Sequence, residues 1–138
     1  MKITKYPFII VLFLLVVPLV SCEAEVSFTT ASLSEAKMST GVDNDLRPVG
    51  VTDVFHENTP EIFCTVKISN APSDTEVKAV WIYIEGEMED LKDYVIGEWS
   101  TEAGDSRYMY ASLTRPDNGW PLGNYKVVMY INDKEELR

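Results

Sequence analysis

Cysteine and histidine are both scarce. Two cysteines, Cys22 and Cys64, and one histidine, His56, serve a chain of 138 residues. At most one disulfide can form, and no second histidine is there to share a metal. No Gly-x-Gly-x-x-Gly, P-loop, His-Glu-x-x-His or Cys-x-x-Cys spacing occurs, which removes the nucleotide and zinc motifs with the most definite mechanics. His56 sits in the polar turn His56-Glu57-Asn58-Thr59-Pro60. A Ser-His-Asp or Cys-His site needs a histidine oriented by a further group, so no catalytic residue is assigned and no enzyme is expected. Basic residues are also few: 12 Lys and Arg stand against 22 Asp and Glu, a formal charge of −10. Such a surface repels phosphate backbones, which excludes nucleic acid as a partner. After residue 22 there is neither a long apolar run nor a sustained helical period.

What is present begins with an address. Lys2 and Lys5 precede an apolar run from Tyr6 to Val20, broken only by Pro7 and Pro18. A membrane-crossing helix needs about 20 apolar residues, and Pro18 disturbs the last turn of this shorter one. A positive start, an apolar centre and small residues at the end have the form of a secretory signal peptide. Its last residues, Leu19-Val20-Ser21-Cys22, resemble the lipobox of prokaryotic lipoproteins. The resemblance implies cleavage after Ser21, lipid on the Cys22 sulfur, a signal over 1–21 and a mature domain over 22–138. One acyl chain holds a bilayer only marginally, whereas two hold it stably. A diacylglyceryl Cys22 would therefore place the domain outside the cytoplasm, against the lipid bilayer. Loss of Lys2 and Lys5 leaves 10 basic against 22 acidic residues, a charge of −12. Lipidation would also leave Cys64 alone, so the core is expected to stand without a disulfide.

The mature chain alternates in short segments. Strands are expected over about Val26–Leu33, over Val49–Phe55 and over Glu61–Ser69, with polar Ser34–Pro48 between the first two as a long loop or a ragged edge. In Glu61–Ser69, residues Ile62, Cys64, Val66 and Ile68 share one face, the period of a half-buried strand. Cys64 is thereby placed in the core. Val77–Glu85 is apolar on both faces, which marks a central strand. Further strands are read over Tyr94–Trp99, Ser106–Thr114 and Tyr125–Asn132. A short acidic connection covers Gly86–Asp93, and a strong turn signal covers Arg115–Gly119. About seven short strands separated by turn residues argue an all-β, antiparallel sandwich.

Two features resemble an immunoglobulin-like or fibronectin type III-like domain. One is Trp81 on the central strand; the other is Pro121-Leu122-Gly123-Asn124-Tyr125-Lys126-Val127. The resemblance implies that Trp81 is the core tryptophan. It also implies a tyrosine corner at Tyr125, with its hydroxyl bonded to backbone a few residues upstream. It departs in two ways. No core disulfide is available, and only Glu135-Glu136-Leu137-Arg138 follows the turn at Asn132–Lys134. That stretch reads as too short and too charged to fill a strand, so the final strand is expected to be short or missing; the alternatives are a penultimate edge left exposed, which could pair with a partner strand, or a sheet closed by another segment.

The fold class assigns no task by itself. The expected role is a surface module binding a protein partner or serving a structural purpose, with carbohydrate or calcium binding as the alternatives. Calcium takes six to eight oxygens, often from loops. Asp43 and Asp45 in one loop, and Glu87, Glu89 and Asp90 in another, are the candidate ligands. Trp99 and Trp120 lie at strand ends or in turns, where an exposed indole can stack on a sugar ring or anchor an interface; the plainer reading is that Trp120 packs over the sandwich end beside Tyr125.

Overall fold

The computed structural model describes residues 29–138. The stretch expected as a signal over 1–21, Cys22 and the first three residues of the strand expected over Val26–Leu33 lie outside the described residues; of the rest of that strand, Thr29–Ala31 is not in a strand and Ser32–Leu33 opens β1. Two four-stranded antiparallel sheets pack as a sandwich, and none of the described residues is helical.

The first sheet contains β1 (Ser32–Val42), β2 (Pro48–Val51), β3 (Glu61–Ala71) and β6 (Asp105–Thr114), in the order β2-β1-β3-β6. The second contains β4 (Glu76–Gly86), β5 (Tyr94–Glu102), β7 (Gly123–Ile131) and β8 (Lys134–Leu137), in the order β5-β4-β7-β8. The core lies between them. Cys64, Val66 and Ile68 of β3 with Met109 and Ala111 of β6 meet Val77, Ala79 and Trp81 of β4 with Met129 and Ile131 of β7. The period of two placed these residues on the inner faces because side chains alternate along a strand. Central β4 is apolar on both sides: Val80 is buried on its outer face beside Val128, its partner on β7. On a neighbouring rung of the same ladder the Lys78 ammonium lies 4.8 Å over the Tyr130 ring.

Three expectations change. Ser34–Pro48 is not a loop: Ser32–Val42 forms a strand paired with β3, and the chain turns back at once into β2. The ladder shifts between Ser34 and Lys37, with Glu35 at φ 54°. That bulge moves Leu33 and Met38, which sit on the inner side, an odd number of residues apart, and hides the alternation. Asp43 closes the hairpin by accepting backbone N–H bonds from Asp45 and Arg47, both at 2.9 Å. The second strand is shorter than read and stops at Val51.

The third change concerns the chain end. Lys134–Leu137 does form a strand, the short one allowed for, and it covers the edge of β7, so the exposed-edge alternative does not hold there. Asn132 and Asp133 both take positive φ, 47° and 65°, the geometry of a two-residue hairpin turn. The turn returns the chain directly into register, so four residues suffice. Charge is no obstacle there, because Glu135 lies on an outer edge where charged side chains discourage further pairing. Leu137 still reaches the core.

Burial of Cys64 pushes its thiol up to about 11. A folded thiol that stays protonated where an unfolded one ionises contributes stability fully below about pH 9, lost as the pH climbs toward about 11. Cys64 should therefore resist thiol reagents at pH 8 until urea unfolds the chain. Between pH 8 and pH 11 the urea midpoint of the wild type should fall further than that of Cys64→Ala. Rapid labelling of the folded protein would contradict the buried placement.

Candidate functional site

The strands run between two ends of the sandwich. One end gathers the point where the described chain begins, Thr29–Ala31, with the β3–β4 turn, the β5–β6 crossing and the β7–β8 turn. Thr30 Oγ1 donates to the Asn70 carbonyl there at 2.8 Å, and Ala103 N to the Thr75 carbonyl at 2.7 Å. The opposite end gathers the β4–β5 turn over 87–93 and the β6–β7 loop over 115–122.

That far end is built around Tyr83. Its buried hydroxyl accepts the Met88 N–H at 3.0 Å and donates to the Leu122 carbonyl at 3.2 Å. The Leu122 carbonyl also accepts the Glu87 N–H at 2.9 Å, and Asp93 N returns to the Ile84 carbonyl at 3.0 Å. Two loops distant in sequence are thereby tied to one side chain. The Tyr83 ring meets Tyr125 edge-on at 5.1 Å, and Trp120 meets Tyr125 edge-on at 6.2 Å. Tyr125 donates its hydroxyl to the Pro121 carbonyl, four residues upstream. Burial, with Tyr83 and Glu87 nearby, pushes that hydroxyl up to about 12.

Gly86 pairs with Gly123 at the tip of the β4–β7 ladder. A Cβ on Gly86 would stand 2.1 Å from the Leu122 oxygen, and one on Gly123 would stand 2.3 Å from the Glu85 oxygen. Neither position has room for a side chain, so the backbones close together and leave a hollow above them. This open cleft of about 450 Å³ is lined by Glu85, Met88, Glu89, Leu91, Lys92 and Asn124 as well as the two glycines. Met88 in its lining is 45 % exposed, and at the same end of the sandwich Tyr94 is 52 % exposed and Leu122 58 %. Glu85, Glu87, Glu89, Asp90 and Asp93 are all exposed at the same end. Asp93 pairs with Lys126 at 3.7 Å; no ion pair engages the other four among the described residues.

A second hollow runs along one flank. Consecutive β5 and β6 belong to opposite sheets, so their free edges face each other without a ladder between them. The slit, about 400 Å³, is lined by Trp99 and Thr101 of β5 and by Arg107, Tyr108, Met109, Tyr110 and Ser112 of β6, with Leu46 from the β1–β2 turn. Tyr108 donates its hydroxyl to Glu35, which draws the Glu35 carboxyl below its ordinary value and raises Tyr108 above its own. The Arg47 guanidinium lies 5.1 Å over the Tyr108 ring and the Lys67 ammonium 5.8 Å.

The candidate residues separate. Trp99 lines the flank slit while packing against the core. Trp120 is only 8 % exposed, and its indole N–H donates to the Thr59 carbonyl at 2.7 Å. It closes the far end rather than facing solvent. Asp43 is engaged with its own turn, and Asp45 is exposed beside it. Glu87, Glu89 and Asp90 stand on the far end around the cleft, yet no three His, Cys, Asp or Glu side chains among the described residues gather closely enough to hold a metal ion. His56 accepts the Asn58 N–H on Nδ1 at 3.1 Å, within its own turn. The display of Met88, Tyr94 and Leu122 escaped sequence reasoning, although the Gly86 and Gly123 positions flanking the two loops were a signal that the backbones meet there. Comparison with family models, curated proteins and solved structures produced no match to this chain.

Proposed function

We propose that this chain is a membrane-tethered, extracytoplasmic lipoprotein whose immunoglobulin-like domain binds a protein partner. The observation that carries the binding role is the apolar display of Met88, Tyr94 and Leu122 at the end opposite the point where the described chain begins. Exposed apolar side chains clustered inside a polar rim mark interaction sites more often than scattered ones do. A tether at Cys22 would present that end outward. The lipobox-like Leu19–Cys22 supports the tether.

The immunoglobulin-like assignment draws on strand order. On this reading, with β2 set aside as a hairpin extension, the order β1-β3-β6 would correspond to strands A, B and E, and the order β4-β7-β8 to C, F and G. β5 joins the sheet of C, as the added strands of variable-type domains do. Buried Trp81 on β4 and the Tyr125–Pro121 bond favour the same assignment. A glycan partner is the second reading, favoured by Trp99, Tyr108 and Tyr110 along the flank slit.

Mass spectrometry of the mature protein tests the tether. The expected N-terminus is Cys22 bearing a diacylglyceryl group, and Cys22→Ser should move the protein from the membrane fraction to the soluble one. An unmodified N-terminus at another residue, with membrane fractionation unchanged by Cys22→Ser, removes the lipoprotein assignment.

A further inference from the structure

We infer that the cleft at the far end docks a basic protein segment that inserts an apolar side chain beside Met88 and Leu91. The inference rests on the protein-binding role proposed above and specifies its partner. Two independent features of the cleft converge on it.

The first is the apolar surface. Met88 and Leu91 are not loose loop tips. The Met88 N–H and the Leu122 carbonyl are both bonded to the buried Tyr83 hydroxyl, and the Leu91 N–H to the Met88 carbonyl at 2.9 Å, so the backbone that carries the apolar lining residues Met88 and Leu91 is fixed. Preorganised apolar groups cost little further ordering on binding. The cleft floor is backbone, because neither Gly86 nor Gly123 can carry a Cβ, and an incoming side chain can therefore settle against it.

The second is charge. Glu85 and Glu89 line the cleft and Glu87 and Asp90 are exposed in the same turn, none of the four with an ion-pair partner among the described residues, and Lys92 is the one basic residue lining it. Rims of one sign select partners of the other and repel their own kind. A second copy of this chain, carrying −10, is a poor occupant. Anionic headgroups and nucleic acid are repelled for the same reason. A neutral glycan would leave the four carboxylates unanswered, whereas lysines and arginines flanking one apolar residue would answer both features. The strands are nine to eleven residues long in the second sheet's core. At about 3.3 Å per residue they hold this cleft roughly 30 Å from the end where the described chain begins.

The test uses the full chain in its native envelope. A photoreactive phenylalanine derivative replaces Leu122 in one protein and Val51, an exposed residue of β2, in another. Mass spectrometry then reads the cross-linked peptide. The expected result is an adduct from position 122, and not from position 51, onto a Lys- or Arg-rich peptide. Its yield should drop about tenfold when Glu85, Glu87 and Glu89 are all changed to glutamine, with the thermal midpoint retained. An adduct from 122 onto an acidic or uncharged peptide, or onto a glycan, overturns the basic segment, and so does a yield indifferent to the three substitutions. The peptide outcomes leave the protein-binding role standing. No adduct from position 122, or equal adducts from 122 and 51, overturns both.

Discussion

Tyr83→Ala should lower the free energy of unfolding by about 3–5 kcal/mol, the range for removing a large buried aromatic side chain. The ring is 1 % exposed, sits on central β4 and supports Tyr125 edge-on. More informative is Tyr83→Phe, which keeps the ring and deletes one oxygen. The Met88 N–H then loses its acceptor and the Leu122 carbonyl one of its two donors. A partly buried group left unpaired costs about 1–3 kcal/mol. The loss should concentrate at the far end, so amide exchange at Met88 should quicken while the amides of β3 keep their protection apart from the global change. Urea titrations followed by circular dichroism measure the first quantity and hydrogen exchange the second. A Tyr83→Phe protein as stable as wild type would show that the hydroxyl does not hold the two loops.

Trp81→Ala should cost a similar amount, about 3–5 kcal/mol, because Trp81 is buried on the inner face between β5 and β7. Here the conservative change should behave in the opposite way. The Trp81 indole N–H has no acceptor among the described residues although its atom is buried. A buried donor without a partner is itself unfavourable. Trp81→Phe removes that donor together with part of the ring, so the two effects partly offset, and its cost should fall well below that of the alanine variant. Paired urea titrations of the two variants decide this. Equal losses for phenylalanine and alanine would mean that the indole N–H finds a bond in the folded protein.

The contrast between these two residues shows what was legible beforehand. Trp81 and Tyr83 stand two apart on a strand whose apolar run was plain, and both were assignable to one face. That Tyr83 would reach two loops, and Trp81 none, depended on where the β4–β5 turn and the β6–β7 loop met. The same holds for the tryptophans singled out as ligand contacts. Trp99 and Trp120 both fall near strand ends in the chain, yet Trp120 is drawn under Thr59 while Trp99 borders an open slit. Strand β1 was hidden for a local reason: the bulge after Ser34 interrupts the alternation, and its outer face is polar. The acidic stretch from Glu85 to Asp93 was evident as charge. Its association with exposed Leu122, more than 25 residues later, was not.

Read alone, the order of residues decided the all-β character, the placement of Cys64 inside, the excess of negative charge and most of the turns. These follow from interactions between near neighbours: side chains alternate at every step of a strand, and turn residues act within four positions. Tertiary structure decided which strand edges were covered, which apolar side chains were left in solvent and which loops came together at one end. Those outcomes arise when the two sheets close on each other. Closure juxtaposes segments far apart in the chain, and no local pattern records the distance between them.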